Sequence, residues 1–177
     1  MAGGVDWTRW SVIYLKPDCV ARGLVPVVLT LLGQQVSVHH VRSVTVTQAQ
    51  IFAHYDDLFS CAALRHLNID AELRRMHVGQ RAVIALGHGP DAPARLRDLI
   101  GPTDPATAPT TTIRGRYGID SLAAGRAENR LIDNLIHTSD DPAAARRDFG
   151  IWYGDQFRLL SSIADADRHE HPDRLGR

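Results

Sequence analysis

Apolar positions alternate along this chain between short dense runs and longer stretches in which they recur three or four residues apart. The first dense run, Trp-Ser-Val-Ile-Tyr-Leu at positions 10–15, predicts a buried strand. It stops at Lys16-Pro17-Asp18, where proline cannot donate to a ladder and turns the chain. Leu24, Val27, Val28, Leu31 and Leu32 then form one apolar helical stripe that Gly33 suits as a terminator. A second strand is expected over 36–46, and Thr47 caps a helix over 48–58 that carries His54, Tyr55 and Asp57. Positions 60–77 have mixed helical spacing, and 82–86 is a third strand closed by Gly87-His88-Gly89-Pro90. A helix over 91–100 ends at Gly101-Pro102, and a Pro- and Thr-rich stretch to Thr112 reads as a long ordered loop. Positions 121–133 are weakly helical and charged. Leu135 and Ile136 anchor a short fourth strand, and Asp141-Pro142 opens a helix over 142–153. A last helix over 155–163 precedes a polar, frayed tail.

This order predicts an α+β fold on the ferredoxin-like βαββαβ plan: a four-stranded antiparallel sheet with surrounding helices, drawn onto one face. The expected division is an N-terminal extension at 1–9, one domain at 10–164 and a C-terminal tail at 165–177.

Composition narrows the function classes. Hydrophobic residues at 44% and charged residues at 23% are ordinary for a globular chain of 177 residues. A formal net charge of zero and sparse aromatics argue against nucleic acid as a main partner. No signal peptide is visible, and the longest apolar run, 24–32, contains Pro26 and Thr30 and is too short to span a bilayer. Cys19 and Cys61 have no CxxC spacing, which suits a reducing, cytoplasmic setting. His39-His40 point to opposite faces of a strand and make a poor metal pair, and His169-Glu170-His171 lies in the expected tail. Of the 20 basic side chains only Lys16 is lysine, which marks a position that needs a compact ammonium.

Candidate chemistry centres on His137. A histidine at the end of a buried strand and just ahead of a helix is held firmly, with one ring nitrogen free for a cleft, as a nucleophile or general acid–base requires. Lys16, Arg97, Arg114 and Asn134 stand at element ends with the hydroxyls of Tyr55 and Thr103, and together with His137 can surround a polyphosphate. There is no P-loop and no G-x-G-x-x-G to bind phosphate instead.

Lys16-Pro17-Asp18, Arg22-Gly23-Leu24-Val25, His54-Tyr55, Gly101-Pro102-Thr103, Thr112-Ile113-Arg114-Gly115 and Asn134-Leu135-Ile136-His137-Thr138-Ser139-Asp140 occur in that order. Over about 10–157 the chain thereby resembles the nucleoside diphosphate kinases. The resemblance implies ping-pong transfer of the γ-phosphoryl of a nucleoside triphosphate to a nucleoside diphosphate through a phosphohistidine at His137. It implies that Lys16 bonds the ribose and the transferring phosphoryl, Tyr55 supports the phosphate, and Arg97, Thr103 and Arg114 grip the outer phosphates. Asn134 holds the ribose hydroxyl, Ser139 lies beside the histidine, and Asp148 stands where the family's glutamate orients the other ring nitrogen. Mg²⁺ is implied as a companion of the nucleotide, with no metal-ligating residues of the protein's own, and a homo-oligomer is implied as the assembly.

The chain departs from the family at Thr138, where glycine is usual, and at Asp148, one methylene shorter. The base-stacking phenylalanine has no counterpart other than Leu67 or Ile69, and about ten extra residues lie between Gly118 and Asn134. The alternatives are therefore a non-catalytic nucleotide-binding or assembly protein, or a specialised kinase for a modified nucleotide.

Overall fold

The protein is described here from a computed structural model covering residues 4–170, with side chains to position 167. Four strands form one sheet: β1 (Trp10–Leu15), β2 (Ser37–Thr45), β3 (Arg81–His88) and β4 (Ile136–Thr138), in the order β2-β3-β1-β4. Every neighbouring pair is antiparallel, as the βαββαβ plan requires. The central strand β1 places Val12 opposite Leu86 and Tyr14 opposite both Ile84 and His137.

All six residues of β1 are buried. That pattern belongs to a strand covered on both faces, and it corrects the one-faced arrangement expected from the element order. On one face Val12 and Tyr14 pack with Ile51 of α3 (Gln48–His54), Leu73 of α4 (Ile69–His77), Phe149 and Trp152 of α8 (Pro142–Tyr153), and Leu160 of α9 (Phe157–Glu170). On the other, Ile13 and Leu15 pack with Cys19 of α1 (Pro17–Ala21), Leu32 of α2 (Val25–Gly33), Leu96 and Ile100 of α5 (Ala92–Ile100), and Ile113 of α6 (Ile113–Tyr117). Each fully buried aliphatic side chain of this kind contributes about 1.5–3 kcal/mol.

Edge strand β2 is largely exposed and carries a bulge between His39 and Arg42, with His40 at φ 50°. Such a bulge breaks the flat edge that would otherwise invite pairing with another chain. Arg42 reaches back to donate to the Trp152 carbonyl at 2.8 Å, tying the end of α8 to the sheet.

Several elements differ from the sequence-based expectation. The turn at Pro17 is helix α1, with proline in its first turn and Lys16 as N-cap. Helix α3 has the expected cap at Thr47, which forms a capping box with Gln50, but it ends at His54, and a 3-10 turn at Asp56–Ser60 follows. The expected N-terminal extension includes a 3-10 turn at Trp7–Arg9, whose Trp7 ring packs 5.7 Å from Phe149. The expected tail begins too early: α9 continues to Glu170, because Asp167 is bound by His39 of β2 and by His88 of β3. The side chains of His169-Glu170-His171 lie outside the described residues. The added segment before Asn134 contains α7 (Leu122–Ala127) and is closed by Arg130 on Asp120 at 2.6 Å. It is fastened to α4 by the Leu131 N–H, which donates to Glu72 at 2.9 Å.

Candidate active site

β1 and β4 run side by side, so the C-terminal end of β1 and the residues leading into β4 share one corner of the sheet. Lys16 caps α1 there, and its backbone N–H donates to the Leu135 carbonyl at 2.9 Å. Its ammonium is buried and donates to Asn134 Oδ1 at 2.7 Å, 5.3 Å from the centre of the Tyr55 ring. Asn134 uses its other amide end as well, donating to the Thr103 carbonyl at 3.0 Å. Burial first, and the neighbouring Arg114 second, lower the Lys16 pKa from 10.5 to about 8.

The approach to His137 is strained. Leu135 has φ +69°, a left-handed conformation that costs a residue with a Cβ about 1–3 kcal/mol. Three contacts hold it: its N–H donates to Asp18 at 2.9 Å, its carbonyl accepts from Lys16, and its side chain is fully buried. Arg114, from α6, braces the same stretch. It donates to the carbonyls of Asn134 at 3.3 Å, Gly101 at 2.9 Å and Ile136 at 2.7 Å. Burial and the neighbouring Arg97 lower its pKa to about 10.

His137 lies opposite Tyr14 on β4 with its side chain 14% exposed. Its Nε2 is turned inward, 3.5 Å from Asp148 Oδ2, and has no hydrogen-bond partner. Asp148 comes from α8, which Asp141 caps by accepting from the Ala144 N–H at 2.8 Å. Its carboxylate is fully buried and accepts from Ser139 Oγ at 2.8 Å and from Arg147 at 2.9 Å. Ser139 is itself fixed, since its Oγ accepts from the Val12 N–H and its N–H donates to Ser11 Oγ, both at 3.1 Å. Burial and the adjacent His54 push the His137 pKa down to about 3, so the imidazole is neutral near pH 7. Burial works against the charge of Asp148, yet the two neighbouring imidazoles hold its carboxyl well below the usual range.

The structure gathers Lys16, Tyr55, Arg114, Asn134, His137, Ser139 and Asp148 around this corner. Thr103 joins through its carbonyl, and its residue is exposed. Arg97 is half-exposed on α5 and pairs at 2.9 Å with Asp140, three positions past His137. The Tyr55 hydroxyl is buried without a partner, and its ring lies 6.1 Å from that of His137. Of the two candidates for a base platform, Ile69 is 7% exposed and belongs to the core, which removes it, while Leu67 is half-buried against the same cluster.

His54 is the neighbour that sequence reasoning left out of the site. It is buried, lies 4.4 Å edge-on to the His137 ring and stands 3.5 Å from Asp148 Oδ1. The only signal was its place beside Tyr55, and nothing in a single sequence fixes which way a helix-terminal histidine turns.

The sequence profile of the nucleoside diphosphate kinases matches residues 10–157. The chain belongs to the nucleoside diphosphate kinase family. A nucleoside diphosphate kinase of Pyrobaculum aerophilum is 28% identical over 174 residues, covering 82% of this chain and 95% of the relative. One of Streptococcus pneumoniae is 31% identical over 142 residues, covering 78% and 95%. Among solved structures, the Pyrobaculum aerophilum NDP kinase superposes with a TM-score of 0.71 at 27% identity, over 84% of this chain and 97% of that one. A Borrelia burgdorferi nucleoside-diphosphate kinase with bound vanadate and ADP has a TM-score of 0.75 at 24% identity, over 84% and 88%, and supports the fold.

Within this family member, Thr138 is buried opposite Ile13, and its hydroxyl has no partner. Thr138→Val keeps the branched shape and removes that orphan, so it is expected to stabilise the protein by about 1 kcal/mol. A urea-unfolding midpoint that falls instead of rising would show that the hydroxyl is satisfied in solution.

Proposed function

We propose that this protein moves the γ-phosphoryl of a nucleoside triphosphate to a nucleoside diphosphate through a phosphate carried on His137. The observation that carries this reading is the one-sided seal on that histidine. Its Nε2 faces Asp148 inside the protein, which leaves Nδ1 for a substrate beside Lys16, Arg97 and Arg114. In the first half-reaction the Nδ1 lone pair attacks the γ-phosphorus, the bond to the bridging oxygen breaks, and the diphosphate leaves. In the second, a terminal oxygen of the acceptor diphosphate attacks, the P–N bond breaks, and neutral His137 is restored. The three cations neutralise charge on the transferring group and so act where it grows.

Lys16 and Asn134, already bonded to each other, are assigned to the ribose and the adjoining phosphates, and Tyr55 to the phosphoryl beside the histidine. Arg97 and Thr103 are assigned to the outer phosphates. Arg114 also supports the backbone and has donors left for phosphate, because a guanidinium carries five N–H groups. Asp148 and Ser139 are positioning residues that fix the His137 ring. Mg²⁺ is assigned to the nucleotide's phosphate oxygens and water. The donor set supports this, because the nearby Asp140 is paired with Arg97 and Asp148 with Arg147.

The test is incubation with γ-labelled ATP and Mg²⁺. Acid-labile, base-stable phosphate on the protein that passes to added diphosphates supports the proposal. Tight nucleotide binding with no such exchange would favour the non-catalytic reading that Thr138 and Asp148 motivate. A panel of diphosphates addresses the specialised acceptor, which the missing aromatic platform favours.

Lys16 supplies a pH signature. It loses its proton as pH rises through about 8, so kcat/KM is expected to fall on that alkaline limb. Lys16→Arg is expected to lose about 100-fold in kcat, because a planar fork does not fit a buried ammonium site. A profile that stays flat through this range, measured with a saturating second substrate, would remove Lys16 from this role.

No helix among the described residues is long and apolar enough to cross a membrane. The two unpaired cysteines support a cytoplasmic setting, and exposed Val41, Ile119 and Leu122 support self-association into a homo-oligomer. Sedimentation at several concentrations tests the latter.

A further inference from the structure

His54, His137 and Asp148 come from α3, β4 and α8, yet their ligating atoms all lie within 4.8 Å of one another. Each imidazole presents a nitrogen 3.5 Å from one oxygen of the carboxylate. Two imidazoles and one carboxylate are a donor set for zinc and its neighbours. Ligands about 2.0–2.2 Å from a tetrahedral zinc stand about 3.4 Å apart, close to the two separations already present. We infer that this cluster is a binding site for a divalent transition-metal ion, and that its occupation silences the enzyme.

The surrounding groups fit the assignment. His137 Nε2 is buried without a hydrogen-bond partner, so an ion there would break no hydrogen bond. His54 Nδ1 accepts one long bond, 3.3 Å, from the Trp152 indole, which an ion would replace. Asp148 is held from behind by Ser139 and Arg147, the kind of outer support that orients a ligating carboxylate. Mg²⁺ is not the occupant, because it prefers oxygen ligands in octahedral array.

The consequence rests on the reading of His137 as phosphate carrier. A metal on Nε2 leaves the neutral imidazole's proton on Nδ1, which removes the lone pair that attacks phosphorus. Nucleotide-borne Mg²⁺ would then support turnover while a softer ion at the histidine blocks it.

Cobalt(II), titrated into the full chain without nucleotide, tests the site directly. His169→Ala/His171→Ala serves as the background, so that the terminal histidines cannot supply the signal. About one equivalent is expected to bind with the intense visible absorption of tetrahedral cobalt, and the band should be lost in His54→Ala and in His137→Ala. Trp152→Phe, which deletes the competing N–H, should tighten binding. Stoichiometric zinc should suppress phosphate labelling by about tenfold or more, with EDTA restoring it. Absence of the band, its persistence in His137→Ala, or an affinity unchanged in Trp152→Phe would overturn the site. Labelling by ATP without cobalt binding defeats this inference alone, whereas cobalt binding without labelling defeats the phosphate-carrier reading.

Discussion

Replacing His137 by alanine is expected to abolish phosphoenzyme formation and to cut exchange between ATP and nucleoside diphosphates by about 10⁴-fold or more, as removal of a covalent nucleophile does. Stability should fall only modestly, by about 1 kcal/mol, as the imidazole beside the Asp148 carboxylate is lost. The side chain is part-exposed, its Nε2 makes no hydrogen bond, and Asp148 retains Ser139 and Arg147 when the imidazole is gone. The two outcomes together separate a chemical role from a structural one. Acid-labile phosphate at undiminished stoichiometry on the alanine protein would place the carrier elsewhere. A collapse in the urea midpoint would show that the ring holds the corner together instead.

Arg114→Ala is expected to do the opposite and to destabilise the fold by about 3–5 kcal/mol, in the range for breaking a buried charged network. The guanidinium is 3% exposed and donates to three backbone carbonyls, on Gly101, Asn134 and Ile136. Alanine leaves those oxygens without their donors and opens a void between α6 and the strained residues before His137. Leu135 would lose the brace on both sides of it, so phosphate labelling should fall with stability. Arg114→Lys should rescue little, since one ammonium cannot point in the directions that a planar fork covers. The checks are chemical denaturation and labelling at a temperature where the variant remains folded. A loss below about 1 kcal/mol would mean that water replaces the guanidinium at little cost.

The same residue shows how far the chain could be read from its letters. Arg114 was marked as a phosphate-gripping group through the Thr-Ile-Arg-Gly motif, but its three backbone bonds span positions 101 to 136 and have no local signature. Ile69 was a candidate platform for the base because spacing brought it near the right segment, and packing against Leu73 puts it in the core. By contrast, β1 and α8 have the bounds that the sequence predicts. An apolar run closed by Lys-Pro and a helix opened by Asp-Pro are signals carried by neighbouring residues.

By itself, then, the sequence determined the strands and most of the longer helices, the family, and the residues proposed to meet phosphate. These follow from local periodicity, capping and short motifs. Only the tertiary structure decided that both faces of the sheet are covered, since a dense apolar run looks the same whether one side or two are buried. It alone brought Lys16 to Asn134 across 118 positions, and it placed His54 and Asp148 behind His137. Orientation and burial arise from contacts between distant segments. The state of His137 is set by those contacts, and no run of adjacent residues encodes it.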